Sequence, residues 1–128
     1  MRPRLKHRPD DAEWAEMARS SVKESIEELL SSAADELRGG KDFDSVLDQF
    51  ADDVRERTED CLFHHVDDTG IMYRKTTYRY SYSLGGYRRW HYPLSHSDVP
   101  DELLDVETLV PDYREMAKAA LEKINSII

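Results

Sequence analysis

Between residues 14 and 37 the apolar side chains Trp14, Ala18, Val22, Ile26, Leu30, Ala33 and Leu37 recur every three or four positions, with Glu13, Glu16, Lys23, Glu24, Glu27 and Asp35 between them. That spacing places one apolar stripe along a long amphipathic helix. Asp10-Asp11-Ala12-Glu13 has the order of a helix start near Asp11: an acid at the cap, Glu three positions on, and negative charge at the positive end of the helix dipole. Gly39-Gly40 supplies a residue that takes a left-handed conformation after the last turn, so the helix is expected to stop there. Phe43, Val46, Leu47, Phe50, Val54, Cys61 and Leu62 repeat the spacing and predict a second helix from about 44 to 63, capped by Asp42 or Asp44. The short link favours an antiparallel helical hairpin with the two stripes facing each other.

Beyond the turn cluster Asp67-Asp68-Thr69-Gly70 the period changes. Ile71-Met72-Tyr73 is followed by Tyr78, Tyr80 and Tyr82 at alternate positions, which is the pattern of a strand. Leu84-Gly85-Gly86-Tyr87 reads as a tight turn, and a second strand from Tyr87 to Tyr92 returns along the first until Pro93, which lacks a ladder donor. Ser97-Asp98-Val99-Pro100 caps a short helical turn through Leu104. Pro111 then precedes a last helix whose stripe is Tyr113, Met116, Ala120, Leu121 and Ile124. The expected fold class is α+β, an antiparallel helical hairpin and a C-terminal helix packed on one face of a small antiparallel β-hairpin or meander. Residues 1–9 read as a basic, flexible N-terminal arm and residues 10–128 as a single domain.

Charge sharpens this picture. The chain carries a net charge of -9 over 128 residues, unevenly spread. Residues 1–9 hold four basic and no acidic groups, and residues 10–70 hold 6 basic and 19 acidic ones. Residues 71–94 hold Arg74, Lys75, Arg79, Arg88 and Arg89 with no acid, and residues 95–128 return to three basic and eight acidic groups. Because surface potentials act over a Debye length of roughly 8–10 Å, such striping bears on partners more than the total does. No apolar run long enough to span a bilayer occurs, the basic N-terminus has no apolar segment behind it, and the single Cys61 has no cysteine to pair with. A cytoplasmic protein without membrane contact is the expectation.

Gly-x-x-x-x-Gly-Lys, Gly-x-Gly-x-x-Gly and Gly-x-Ser-x-Gly are all missing, so the common nucleotide and hydrolase signatures do not point to an enzyme. The densest reactive cluster is Cys61-Leu62-Phe63-His64-His65-Val66-Asp67-Asp68. Adjacent histidines diverge on a helix, and His64 with Asp68 is the pair read as four apart, so the ordinary account is a helix end running into a solvated turn. Neither a metal nor a cofactor is expected, and Cys61, on the apolar stripe, reads as a buried, inert thiol. More unusual is the ribbon from Tyr73 to Tyr92. There Arg74, Lys75, Tyr78, Arg79, Tyr80, Tyr82, Arg88, Arg89 and Trp90 combine stacking rings with phosphate-seeking cations. The competing account makes the rings one covered face of a half-buried sheet. A second candidate surface is the row of Glu24, Glu27, Glu28, Asp48, Asp52, Asp53, Glu56, Glu59 and Asp60 on the helical exterior. It either keeps the protein dissolved or imitates the phosphate charge of a duplex.

The run from Glu59 to Tyr82, beginning EDCLFHHVDDTG, resembles small proteins of unknown function from phages and mobile elements, with an acidic helix, a His-x-x-Asp step and an Ile/Val-Tyr-rich stretch. The resemblance implies a phage or plasmid accessory protein, a class that includes inhibitors of host restriction and CRISPR systems. In that pattern the stretch after the tyrosines can also be helical, an alternative to the returning strand. Two functions are therefore carried forward. One is a non-enzymatic binding protein that engages a host nucleic-acid-handling protein by charge mimicry or occlusion; the other is direct nucleic-acid binding by the Tyr/Arg ribbon. The stripe of the first helix is long enough to pair with a second copy in a homodimer, although a monomer core needs the same stripe.

Overall fold

The structure, a computed structural model, describes residues 5, 8–69, 76–91 and 94–128, of which Thr76, Thr77 and His91 are described by backbone alone. Helix α1 spans Asp11–Arg38 and opens as its sequence predicts, with the Asp10 carboxylate accepting from the Glu13 amide. It closes on Gly40 at φ +88°. There the Gly40 amide donates to Leu37 O and the Lys41 amide to Glu36 O, the paired reversal that absorbs the last carbonyls of a helix. Helix α2, Phe43–Thr69, is capped by Asp42, whose Oδ2 accepts from the Ser45 amide.

The second helix runs six residues past the expected end at 63. Val66 lies one turn beyond Leu62 and is fully buried with it, so the apolar stripe continues through what the sequence suggests is a turn. Asp67, Asp68 and Thr69 form the final turn of α2, where the Thr69 hydroxyl donates to His65 O at 2.7 Å. Burial of one more valine outweighs the turn propensity of the acids.

The two helices pack antiparallel, as Ser25 against Thr58 and the ring pair Trp14 and His65 show. Their crossing holds two buried polar side chains, Ser25 and Thr58. Ser25 Oγ and Thr58 Oγ1 lie 3.1 Å apart; the Thr58 hydroxyl donates to Val54 O, and Arg57 donates to Ser25 Oγ at 2.9 Å.

After the hairpin described below, a 3-10 turn at His96–Asp98 leads into the short helices α3, Asp101–Leu104, and α4, Val106–Leu109. Helix α5, Tyr113–Asn125, completes the chain. It begins two residues after Pro111 and lays Tyr113, Ala117 and Leu121 against both α1 and α2. Leu103, Leu104, Val106 and Val110 fill the end of this three-helix body, and Trp14 Nε1 donates to Leu103 O across it at 3.0 Å. The arm is partly tied down: Leu5 packs on the core, and Arg8 donates to Glu102 at 2.8 Å.

Strands β1, Thr76–Ser81, and β2, Gly86–His91, pair antiparallel, so the residues after the tyrosines form a strand rather than the helix that the resemblance allows. The loop is Tyr82–Gly85, two residues earlier and longer than the predicted two-glycine turn. It is closed by the Gly85 amide donating to Ser81 O at 2.8 Å, with Gly85 at φ +67°. The class is α+β as expected, a helical hairpin and a C-terminal helix with a two-stranded antiparallel sheet. Among the described residues no side chain of the β-hairpin belongs to the hydrophobic core, and the helices bury their stripes against one another. Among the described residues the stripes of α1, α2 and α5 form one core.

Candidate functional site

The register Tyr78↔Arg89, Tyr80↔Tyr87 and Arg79↔Arg88 sorts the hairpin side chains by face. Alternate residues of a strand point to opposite sides, and cross-strand partners share a side. One face therefore carries Tyr78, Tyr80, Tyr87 and Arg89, and the other carries Arg79, Arg88 and Trp90. The ordinary account of the tyrosines requires one of these faces to be covered. Neither is: Tyr78 is 64% exposed, Tyr80 50%, Tyr87 72% and Trp90 44%, and Tyr82 at the loop is 92% exposed. Core packing does not explain these rings.

The rings instead organise one another. Tyr80 meets Tyr82 edge-on at 4.9 Å and Tyr87 edge-on at 5.5 Å, the geometry favoured by the ring quadrupole. On the opposite side the Arg79 guanidinium lies 4.5 Å above the Trp90 ring, a cation–π contact that holds both side chains in place. Arg88 is anchored to the loop by a bond to Leu84 O at 3.3 Å. Arg79 and Arg88 face each other directly across the strands, a like-charge pairing that works against the sheet. Among the described residues no acid pairs with Arg79, Arg88 or Arg89. Arg74 and Lys75, assigned to the same ribbon from sequence, lie outside the described residues, as do Tyr73 and Tyr92.

The acidic row separates into two groups. Asp48 is bonded to Arg114, Asp52 lies 3.9 Å from Arg55, and Asp53 accepts from Gln49 at 2.8 Å. Asp60 lies between His64 at 3.4 Å and His96 at 3.8 Å. Glu59 is half-buried beside α4, where burial, and then Asp105, push its carboxyl above the usual glutamate range while Arg55 pulls it back. These five serve the body of the protein. Glu24, Glu27, Glu28 and Glu56 are exposed and make no side-chain bond or ion pair among the described residues, which leaves them as the available part of the row.

The histidine cluster differs from its sequence reading. His64 and His65 lie inside α2 rather than at its end, and the effective four-residue pair is Asp60 with His64. His96, thirty-two positions further on, stacks on Phe63 at 4.3 Å and joins the same carboxylate. The Asp60 and His64 spacing was visible locally, whereas nothing in the sequence signalled His96. Among the described residues no group of three or more His, Cys, Asp or Glu side chains is arranged to hold a metal. Cys61 is half-exposed rather than buried. It opens on a cleft of about 200 Å³ between α1 and α2, near His65, Glu24 and a Ser21 hydroxyl that is buried without a partner. Another surface pairing is structural: Arg19 grips Asp112 with bonds of 2.7 and 3.2 Å, and that guanidinium holds the Asp112 carboxyl below the usual range.

No helix among the described residues is long and apolar enough to cross a membrane. No protein-family model matches the chain, and no curated protein or solved structure is similar to it at a level that shows a relationship.

Proposed function

We propose that this chain is a non-enzymatic binding protein whose contact element is the β1–β2 hairpin and whose helices serve as the body that presents it. The observation that carries the reading is the exposure of both hairpin faces, each with large aromatic or guanidinium side chains that no part of the core uses. Exposed tyrosine, tryptophan and arginine are the residue types that dominate binding energy at recognition surfaces. A fold that leaves so many of them in water forgoes about 1.5–3 kcal/mol per ring that burial would return. The uncompensated arginines select for a partner with negative charge.

The test is a variant with Tyr78→Thr, Tyr80→Thr and Tyr87→Thr, which keeps strand propensity and removes the rings. It is expected to melt within about 2 °C of the parent, since no core contact is lost, while failing to recover the partner that the parent recovers from cell extract. A drop of many degrees would return the rings to a structural role.

A second reading rests on Glu24, Glu27, Glu28 and Glu56. Exposed on α1 and α2 and unpaired among the described residues, they suit the basic groove of a nucleic-acid-handling protein, in the manner of an inhibitor that mimics phosphate. Replacing these four by Gln discriminates the readings. Loss of the recovered partner in that variant, with recovery intact in the tyrosine variant, moves the interface from the hairpin to the helices.

A further inference from the structure

We infer that the ligand of the hairpin is single-stranded nucleic acid, held over a short footprint by stacking on one face and by guanidinium groups on both. The inference rests on the hairpin being the contact element. Three observations take it further than an anionic partner in general. First, Tyr78, Tyr80 and Tyr87 share a face and each keeps half or more of its surface in solvent, as a stacking platform requires. Second, Arg89 sits on that same face opposite Tyr78, so a cation stands beside the rings where a sugar-phosphate backbone would pass. Third, Arg79 and Arg88 are directly opposed across the strands and pair with no acid among the described residues, a repulsion that a bound phosphate converts into attraction from two sides.

A single strand suits this arrangement better than a duplex or an acidic peptide. Its bases and phosphates diverge from each sugar, so one flexible chain reaches both rings and cations. A duplex hides its base faces inside the stack and gives the tyrosines nothing to cover. An acidic peptide satisfies the arginines but has few flat surfaces for the rings. The ribbon itself limits the footprint: β1 and β2 have six residues each, roughly 20 Å at 3.3–3.4 Å per residue. A platform of that length holds about four nucleotides, the low end of the range for small single-strand binders.

The experiment is fluorescence anisotropy of a labelled mixed-sequence 12-nucleotide DNA, the RNA of the same sequence and the 12-base-pair duplex, titrated with the full chain at 50 and 200 mM salt. Binding of the single strands is expected, at least tenfold tighter than the duplex. With three described arginines on phosphate, affinity should fall about twentyfold between the two salt concentrations. Tyr87→Thr should weaken binding about tenfold and the Arg88→Gln, Arg89→Gln pair more steeply, with a shallower salt dependence. Several outcomes overturn the inference: single strands that do not bind at roughly 100 μM protein in 50 mM salt, a duplex bound as tightly as the single strand, or hairpin variants that bind like the parent. If single strands fail but the tyrosine variant, folded as the parent, loses a protein recovered from extract, the ligand is a protein and the hairpin remains the contact element. If the tyrosine variant loses its melting temperature, both readings fall together.

Discussion

The helical body and the β-hairpin spend the same kinds of side chain in opposite ways. In the body Trp14 and Tyr113 are buried, Trp14 is bonded to Leu103 O, and arginines such as Arg19 and Arg114 are each held by an acid. In the hairpin Tyr78, Tyr80, Tyr87 and Trp90 are exposed, and Arg79, Arg88 and Arg89 pair with no acid among the described residues. The contrast teaches that residue type does not assign a role here; what decides is whether the surrounding surface is already closed. The three helical stripes bury one another, and among the described residues no hairpin side chain joins that core.

Four measurements press on that division, beginning with the largest effect. Leu62→Ala removes a side chain that is 1% exposed at the meeting of the helices and is expected to cost about 2–5 kcal/mol by denaturant titration, against the near-zero cost of removing three tyrosines from the hairpin. Trp14→Phe leaves Leu103 O buried without its donor and should cost about 2 kcal/mol, with the loss appearing in global unfolding. Gly85→Ala forces a Cβ into a left-handed conformation at φ +67° and strains the hairpin by about 1–2 kcal/mol. Amide exchange at Tyr80 and Tyr87 should then accelerate about 5- to 30-fold while the melting temperature of the body stays put. A shift in that temperature would show that the two regions are coupled.

The smallest effect is electrostatic. Because burial raises the folded-state pKa of Glu59, the unfolded chain releases this proton first as pH rises. Stability is therefore lost from the ordinary glutamate value, near 4.3, up to the folded value, and stays lower above it. Glu59→Gln should match the parent at pH 3.5 and exceed it slightly at pH 7. Asp112 has the reverse sign. Arg19 depresses its folded pKa, so that contribution is present above the ordinary aspartate value and disappears as pH falls through the folded one.

Much of the body was legible from periodicity. The apolar positions of α1 and α5, the Asp10 cap and the Gly40 stop all follow from local spacing and capping chemistry. The end of α2 was not, because Asp67-Asp68-Thr69 has turn propensity and only tertiary burial of Val66 overrides it. The hairpin itself could be read from its alternation, but alternation reports only that successive residues face opposite ways. Whether either face is covered depends on how completely the helices use their own apolar surface, a quantity summed over the whole chain. His96 on Phe63 was hidden for a related reason, since the contact joins distant positions and neither residue carries a local mark of it.

The hydroxyl pair at the centre of the helical crossing has a consequence for folding fidelity. Two long amphipathic helices rich in alanine and valine offer several alignments of similar apolar burial, one turn apart. Thr58 keeps its bond to Val54 O in any of them, but Ser25 has its partners, Thr58 and Arg57, only in the observed alignment. Sliding by one turn would strand that oxygen away from water at about 1–3 kcal/mol. Ser25 thus acts as a key that admits one registration of the α1–α2 pair and taxes its neighbours.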